Sequence, residues 1–269
     1  MTINNQKIKN QPINQSINQQ INKSTNKMRI VFVQSQNTEN GEVAIENIRE
    51  MACRHALPGD FWLLPEVFDT GWNLRPGERI DGSQNIGFLR QLSQEFSISI
   101  GGSFYLASEG CIHNRFYVVT ADGSEYYCDK RHLFGDFELM NVTPGDALLT
   151  FPLNGIMFRA IVCYDLRFPV WCRNNDGDYD ALICISQWPT SRQQDRSLLL
   201  AARALENVSY VLNCNGLGAS MVYSPDGRID FLMPKGSDVA FYELDIERLR
   251  KFRAGHPHLR NMDKFEIKM

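Results

Sequence analysis

Hydrophobic and polar positions follow two different periods along most of this chain. From Met28 onward, short apolar runs rich in β-branched residues predict buried strands, and longer stretches with apolar residues three and four apart predict amphipathic helices. The predicted strands are 28–33, 60–64, 98–106, 112–120, 124–128, 156–162, 181–186, 208–213 and 221–223. The predicted helices are 42–56, 84–96, 169–174 and 192–207.

The interleaving of helices and strands predicts the class of fold. Turn sequences at 121–123 and 226–227 add hairpins, and therefore antiparallel pairs, to an otherwise alternating order. This order indicates an α/β protein with mixed sheets flanked by helices. Because α/β domains commonly reach this size, we predict one domain over residues 28–269.

The first 27 residues have a different composition from the rest of the chain. A four-residue repeat over 11–22 combines isoleucine with Asn and Gln and contains no aromatic residue. One isoleucine per helical turn buries too little apolar surface to fix a fold. Residues 1–27 are therefore predicted to be a disordered Asn/Gln-rich tail.

Composition narrows the classes of function. A net charge of -3, with basic residues scattered along the chain, gives no general attraction to nucleic acid or to anionic lipid. No apolar segment is long enough to span a membrane, and the first residues lack the apolar stretch of a secretion signal. The seven cysteines are widely spaced and form no C-x-x-C pair, which predicts reduced thiols, no zinc site and a cytoplasmic location. Cys53, Cys184 and Cys214 are predicted to be inert core thiols.

Three predicted strands end at a reactive side chain. Glu66 follows an apolar strand and a proline, Lys130 follows the strand after the first hairpin turn, and Cys163 follows a fully apolar strand. Ligands of open α/β folds bind beyond the carboxyl ends of the strands. These residues are therefore candidates for a general base, an oxyanion-stabilising cation and a nucleophile. Their structural alternatives are a surface carboxylate, a solvated lysine and an inert thiol.

The surroundings of Cys163 and Glu66 add chemical detail. A turn from strand to helix would expose the Cys163 side chain, and the helix terminus would lower the pKa of its thiol. Partial desolvation of Glu66 by Phe68 and Trp72 would raise the pKa of its carboxylate, which suits a general base.

Taken together and in this order, the three segments resemble those of the nitrilase, or carbon–nitrogen hydrolase, superfamily. The resemblance rests on the sequences LPE (64–66), DKRHLF (129–134) and VCYDLRFP (162–169), and it covers nearly the whole chain from Met28. It implies a Glu66–Lys130–Cys163 triad with Cys163 as nucleophile, and it implies that no cofactor is required. It also implies a four-layer α-β-β-α sandwich and a homodimer.

The resemblance assigns a role to a second carboxylate. Glu138, which precedes a Pro-Gly turn, corresponds to a further glutamate of the superfamily that helps to order the lysine and the substrate. Its structural alternative is a glutamate on a helix surface.

Within the superfamily, three segments resemble those of the omega-amidases: CYDLRFPVW (163–171), QWP (187–189) and ARALEN (202–207). This resemblance implies hydrolysis of the terminal amide of 2-oxoglutaramate or 2-oxosuccinamate, through a thioester, to a 2-oxo diacid and ammonia. Two departures bear on the pocket: Gln187 stands where relatives often have asparagine, and the link after Gly218 is short.

Several residues near the motifs are candidates for holding the substrate. The backbone N–H of Tyr164 is a second oxyanion donor beside Lys130. Arg167 and Arg173 follow the nucleophile closely, and a guanidinium can bind a carboxylate through two hydrogen bonds. Two aromatic residues, Trp188 and Phe68, are candidate pocket walls. The alternatives are an Arg167 ion pair with Asp165 or Asp129, and a place in the core for the aromatic side chains.

Three rival functions remain open at this point. The same triad would serve a carbamoyl hydrolase or a general aliphatic amide hydrolase. The fold could also belong to a catalytically idle binding protein, or the chain could be a metal-dependent hydrolase. In each enzymatic case the expected partner is a small molecule and, by resemblance, a second copy of the chain.

Overall fold

The computed structural model describes residues 27–34, 41–71 and 81–263, and these residues form two six-stranded sheets. The first sheet consists of β1 (Lys27–Val33), β2 (Phe61–Leu63), β3 (Ser99–Ser108), β4 (Cys111–Val119), β5 (Glu125–Asp129) and β12 (Val239–Asp245). The second consists of β6 (Leu149–Leu153), β7 (Ile156–Val162), β8 (Ala181–Ser186), β9 (Tyr210–Asn215), β10 (Met221–Tyr223) and β11 (Ile229–Leu232). Their strand orders are β12-β1-β2-β3-β4-β5 and β11-β10-β9-β8-β7-β6.

Helices connect the strands. The α-helices within the described residues are α1 (Gly41–His55), α2 (Ser83–Phe96), α3 (Gly135–Asn141), α4 (Gln193–Asn207) and α5 (Ile246–Gly255). Short 3₁₀ helices lie at Cys163–Arg167, Thr190–Arg192 and Pro257–Asn261. None of the helices in the described segments is both long and apolar enough to cross a membrane.

The two faces of β1 show how the layers are arranged. Ile30 and Phe32 pack into a core that also contains Phe158 of the second sheet, so this face meets the other sheet. Val31 and Val33 point the opposite way, into a core shared with α1 and α2. Both faces of the strand are covered, which explains why it is apolar at successive positions.

The second sheet has the same two-sided burial. Leu182 and Cys184 of β8 pack against Leu200 and Ala204 of α4, whereas Ile183 faces the first sheet. Helices therefore cover the outer face of each sheet, and the sheets face each other. The predicted α-β-β-α sandwich with mixed sheets is confirmed.

Parallel pairing in the middle of each sheet determines where loops gather. β2 runs parallel to β1 and β3, and β8 runs parallel to β7 and β9. The other strand pairs are antiparallel. Because parallel strands end at the same edge, the residues after β7 and β8 lie next to each other.

Three sequence predictions need correction. Residues 169–174 form turns instead of a helix, because the stretch is short and Asn174 bonds through its side chain to Tyr179 and Asn207. The edge strands β6, β11 and β12 and the helices α3 and α5 carried no pattern that predicted them. Cys53 is exposed, whereas Cys184 and Cys214 are buried as expected.

The predicted tail lies almost entirely outside the described residues, so the division into tail and domain stays a prediction.

Candidate active site

A buried ammonium group lies at the centre of the site. The Nζ atom of Lys130 is 2.8 Å from Oε1 of Glu66 and 2.7 and 3.0 Å from the two carboxylate oxygens of Glu138. The side chains of all three residues are fully buried. The structure thus brings together three of the residues that the sequence singled out, and Glu138 is not on the surface of its helix.

Uncharged groups also donate hydrogen bonds to the two carboxylates. Asn114, in the middle of β4, donates from Nδ2 to Glu66 (3.1 Å) and to Glu138 (2.9 Å). The backbone N–H of Phe134 also donates to Glu138, at 2.7 Å. Asn114 was missed by the sequence analysis, since an asparagine within a strand has no local signal that separates it from a structural residue.

Burial and charge act together on the ionisation of this cluster. Burial raises the pKa of Glu66 above its ordinary value, and the neighbouring Glu138 raises it further, although Lys130 opposes the shift. Burial alone would lower the pKa of Lys130, but neighbouring acidic groups, Glu66 foremost, outweigh burial and raise that pKa. Lys130 is therefore an ammonium throughout the neutral range.

Cys163 lies on a sharp turn at the end of β7. Its φ of 48° is in the left-handed region, which a non-glycine residue adopts only under strain. Burial raises the pKa of its thiol well above the ordinary value, the charge of Glu66 raises it further, and Lys130 opposes both. The expectation of a lowered pKa is therefore wrong, because a five-residue 3₁₀ helix offers too little to offset desolvation. The resting group is a neutral thiol next to a carboxylate.

Asp165 joins the turn that carries Cys163 to the loop that carries Lys130. Its Oδ1 accepts the backbone N–H of His132 and lies 2.8 Å from that residue's ring, and its Oδ2 accepts the backbone N–H of Val162. One buried carboxylate thus fixes both segments. A side chain from α4 supports the same turn: Arg203 donates to the carbonyl of Leu166.

A cavity of about 270 Å³ opens onto the thiol. Its walls are formed by Phe134, Cys163, Tyr164, Arg167, Gln187, Trp188, Pro189, Arg192 and Leu217. The predicted Arg167 and Trp188 are therefore wall residues, and the guanidinium lies 4.9 Å from the indole centroid. Arg167 pairs with Asp195 at 3.3 Å instead of with Asp165 or Asp129. Arg192 is a second guanidinium on the wall, and no motif pointed to it.

Two predicted wall residues lie elsewhere. Phe68 is buried between the first sheet and its helices, where it packs against Phe88 and Phe104. Arg173 does not line the cavity, since its guanidinium donates to the carbonyl of Glu206 at the C-terminal end of α4, a favourable place for a cation. Trp72, the other aromatic residue proposed to desolvate Glu66, is outside the described residues. Within the ARALEN segment, Arg203 and Glu206 form an ion pair at 2.9 Å.

Metal ligands are not apparent near this site. Among the residues that the structure describes, no group of three or more His, Cys, Asp and Glu side chains could hold a metal ion.

Comparison with known proteins gives a consistent result. The profile of the carbon-nitrogen hydrolase family matches residues 20–254. Omega-amidase YafV of Yersinia enterocolitica is 32% identical over 250 residues, which cover 88% of this chain and 94% of that protein. The 2-oxoglutaramate amidase of Bacillus subtilis is 27% identical, over 83% of this chain and 90% of the relative.

A solved structure agrees with these relatives. A CN-hydrolase superfamily protein from Xanthomonas campestris, with an arsenic adduct in its active site, superposes with a TM-score of 0.82 at 28% identity. The match covers 90% of this chain and 99% of the other. The chain therefore belongs to the carbon–nitrogen hydrolase family, within the nitrilase superfamily, and resembles its omega-amidases.

Proposed function

We propose that this enzyme hydrolyses the terminal amide of a small 2-oxo acid amide, with Cys163 as the nucleophile and a thioester as the intermediate. The substrate would be 2-oxoglutaramate or 2-oxosuccinamate, and the products a 2-oxo diacid and ammonia. One observation carries the proposal: the thiol of Cys163 interacts with a buried Glu66–Lys130 pair at a cavity whose walls include two guanidinium groups.

The first chemical step uses the neutral thiol. Oε1 of Glu66 accepts hydrogen bonds from Lys130 and Asn114, which leaves Oε2 to take the proton of Cys163. As the proton moves to Glu66, sulfur attacks the amide carbon and the C=O π electrons move onto oxygen. The ammonium of Lys130 and the backbone N–H of Tyr164 would hold the oxyanion.

The second part of the cycle reuses the same carboxylate. When the oxyanion collapses, the C–N bond breaks and Glu66 gives its proton to the departing nitrogen, so that ammonia leaves and a thioester remains. Glu66 then removes a proton from water, and the resulting hydroxide attacks the thioester. The C–S bond breaks, the acid is released, and the proton returns from Glu66 to the Cys163 sulfur.

Lys130 is suited to electrostatic stabilisation and not to proton transfer. Its raised pKa keeps the proton on nitrogen at neutral pH. Glu138 holds the ammonium in place with two contacts of 2.7 and 3.0 Å. A donor fixed in this way needs little reorganisation when charge develops on the substrate oxygen.

The cavity wall supports a substrate with a remote carboxylate. Arg167 and Arg192 are both on the wall, and a guanidinium binds a carboxylate with paired hydrogen bonds. Trp188 and Leu217 offer apolar surface for the methylene groups between the two ends of the substrate. The names of the relatives, omega-amidase and 2-oxoglutaramate amidase, agree with this chemistry.

The identity of the nucleophile is tested by substitution. Cys163→Ala should abolish ammonia release from 2-oxoglutaramate and leave the unfolding temperature close to that of the parent. Cys111→Ala, at an exposed cysteine, is the matched control and should retain full activity. Equal activity in Cys163→Ala would contradict the mechanism.

The substrate class is tested by comparing amides. Arg167→Met and Arg192→Met should raise KM for 2-oxoglutaramate at least about 10-fold, as expected when a charge-assisted hydrogen bond worth roughly 1.5–3 kcal/mol is lost. The same variants should hydrolyse butyramide, which has no carboxylate, at the parent rate. If the parent prefers butyramide, the enzyme is a general aliphatic amide hydrolase. Carbon dioxide release from an N-carbamoyl amine would indicate a carbamoyl hydrolase.

The homodimer is likewise a proposal, and the apolar surface of α4 supports it. Leu198 and Leu205 are 66% and 50% exposed, and seven positions apart they lie on one side of the helix. Light scattering should give twice the chain mass, and Leu198→Glu should reduce that mass; a monomeric parent would contradict the proposal.

The cytoplasmic location stays a prediction from the sequence.

A further inference from the structure

Gln187 contacts both the proposed base and the proposed nucleophile. Its side-chain Nε2 donates to the backbone carbonyl of Glu66 at 2.7 Å, and its backbone N–H lies near enough to the sulfur of Cys163 to oppose the rise in the pKa of that thiol. Glu66 follows a strand of the first sheet, whereas Cys163 and Gln187 follow strands of the second. Gln187 therefore spans the two sheets at the point where the proton must pass from sulfur to carboxylate.

The neighbours of Gln187 hold it in one place. Asn215 accepts the backbone N–H of Trp188 at 2.7 Å and donates to the carbonyl of the same residue at 3.0 Å, so the chain after Gln187 is clamped. The Gln187 amide lies against Gly216, where an added Cβ would be only 2.3 Å from Oε1 and 2.6 Å from Nε2. The lack of a side chain at Gly216 leaves just enough room for this amide.

The loop that carries Glu66 needs such a restraint. Val67, the next residue, has a φ of 43°, a conformation that a β-branched residue adopts only under strain. Its backbone N–H is bonded to Ser103, which holds one side of the peptide. The bond from Gln187 to the carbonyl of Glu66 holds the other side of the same peptide group.

We propose that Gln187 is a positioning residue, which sets the placement of Glu66 relative to the Cys163 sulfur through the carbonyl of Glu66. This inference rests on the proposed mechanism. The side chain of Gln187 need not touch the reacting atoms; it fixes the backbone from which the base projects. Since a displacement of about 1 Å can cost about 10²-fold in rate, loss of this bond should lower kcat more than it changes KM.

Two substitutions remove the bond in different ways. Gln187→Ala deletes the amide, and Gln187→Asn keeps the amide but shortens the side chain by one methylene group, so that the amide nitrogen no longer reaches the carbonyl. Both should lower kcat for 2-oxoglutaramate by about 10- to 100-fold. Should Gln187→Ala fold poorly, the milder Gln187→Asn still tests the proposal.

A double-mutant cycle separates positioning from general damage. Gly216→Ala should displace the Gln187 amide and lower kcat to a similar extent, although it removes no polar group. In the Gln187→Ala background, the same Gly216→Ala change should cost less than about 2-fold, because the side chain that it displaces is no longer there. Gly87→Ala, at a helical site with open space around the added Cβ, is the matched control.

A measurement without substrate separates this proposal from the proposed function. The rate at which iodoacetamide alkylates Cys163, followed by peptide mass spectrometry, reports how well Glu66 removes the thiol proton. It should fall with kcat in Gln187→Asn and Gly216→Ala, whereas alkylation of the exposed Cys111 should not change. Additive effects in the cycle, or parent-like kcat and alkylation in Gln187→Asn, would overturn the positioning role. An inactive parent with normally reactive Cys163 would instead count against the substrate.

Discussion

Lys130 carries a positive charge in the interior, and this charge is balanced by two carboxylates. Its side chain is fully buried between Glu66 and Glu138, with Asn114 as a neutral donor to both acids. The sequence identified Glu66 and Lys130 because each follows a strand end within a recognisable motif, and Glu138 because it corresponds to a glutamate of the superfamily before a Pro-Gly turn. Asn114 and Gln187 act through partners 48 and 121 positions away, and no local pattern encodes a partner at such a distance.

Replacing Lys130 should damage stability and activity together. Lys130→Met leaves two carboxylates buried without their cation, and breaking a buried ion pair typically costs about 3–5 kcal/mol. Loss of the oxyanion donor should lower kcat by at least about 10²–10³. Urea unfolding and ammonia release measure the two effects.

The control for this variant is Lys27→Met, which removes an exposed ion pair with Glu243. It should leave both the unfolding midpoint and kcat unchanged, since exposed pairs contribute little. A Lys130→Met variant as stable as Lys27→Met would contradict the account of the buried cluster.

The raised pKa of Glu66 predicts the acidic limb of the pH profile. Glu66 must be ionised to accept the thiol proton, so kcat/KM should fall as pH decreases through its folded-state pKa. Because burial and Glu138 raise that pKa, the fall should begin above the ordinary glutamate value of about 4.3. A profile in which kcat/KM stays constant down to pH 4.3 would show that Glu66 is not the base.

At the scale of elements, close backbone contacts position the catalytic loops. Gly145, in the Pro-Gly turn after α3, donates its N–H to the carbonyl of Lys130 at 2.9 Å. An added Cβ at Gly145 would lie 2.2 Å from the carbonyl oxygen of Asp129, which cannot rotate away as a side chain would. The sequence predicted the turn, whereas the backbone it packs against became visible only in the folded chain.

Gly145→Ala should therefore push the segment that carries Lys130 out of place. We expect a loss of stability of about 1–3 kcal/mol, as for other overpacked sites, and a fall in kcat of at least about 10-fold. Gly87→Ala, in α2, should be neutral or stabilising by up to about 1 kcal/mol, because alanine favours a helix. Equal unfolding midpoints in the two variants would show that the Gly145 contact relaxes freely.

Strand ends were the most predictable elements, and edge elements the least. The parallel strands β7 and β8 match their predicted bounds, because burial on both faces gives continuous apolar runs. β11 is mostly exposed and lacks such a run. The predicted helix at 169–174 is not formed because Asn174 bonds to other segments of the chain. The hydrophobic periodicity of a segment carries no information about such long-range contacts.

At the scale of the whole molecule, aromatic packing between the sheets holds the two halves together. Phe61 of the first sheet contacts Phe151 and Phe158 of the second, with ring centroids 6.3 and 5.3 Å apart. All three side chains are completely buried. This packing fixes the distance between the sheets, and with it the distance between the residues that each sheet contributes to the site.

Phe61→Ala should open a cavity between the sheets. The expected loss is about 3–5 kcal/mol, in the range for buried phenylalanines, with a parallel drop in activity. Phe241→Ala, whose side chain is 41% exposed on β12, should cost under about 1 kcal/mol. Calorimetry of both variants tests the comparison, and similar costs would argue against a central role for this packing.

The site is divided between the two sheets, so activity requires that both sheets have folded and docked. Glu66 and Lys130 follow strands of one sheet, and Cys163 follows a strand of the other. A chain that has formed only one sheet has therefore placed either the Glu66–Lys130 pair or Cys163, and it lacks the complete site that the proposed amide hydrolysis requires. Amide hydrolysis requires the two sheets to dock. During refolding, the return of ammonia release should therefore lag behind the return of the far-ultraviolet circular dichroism signal.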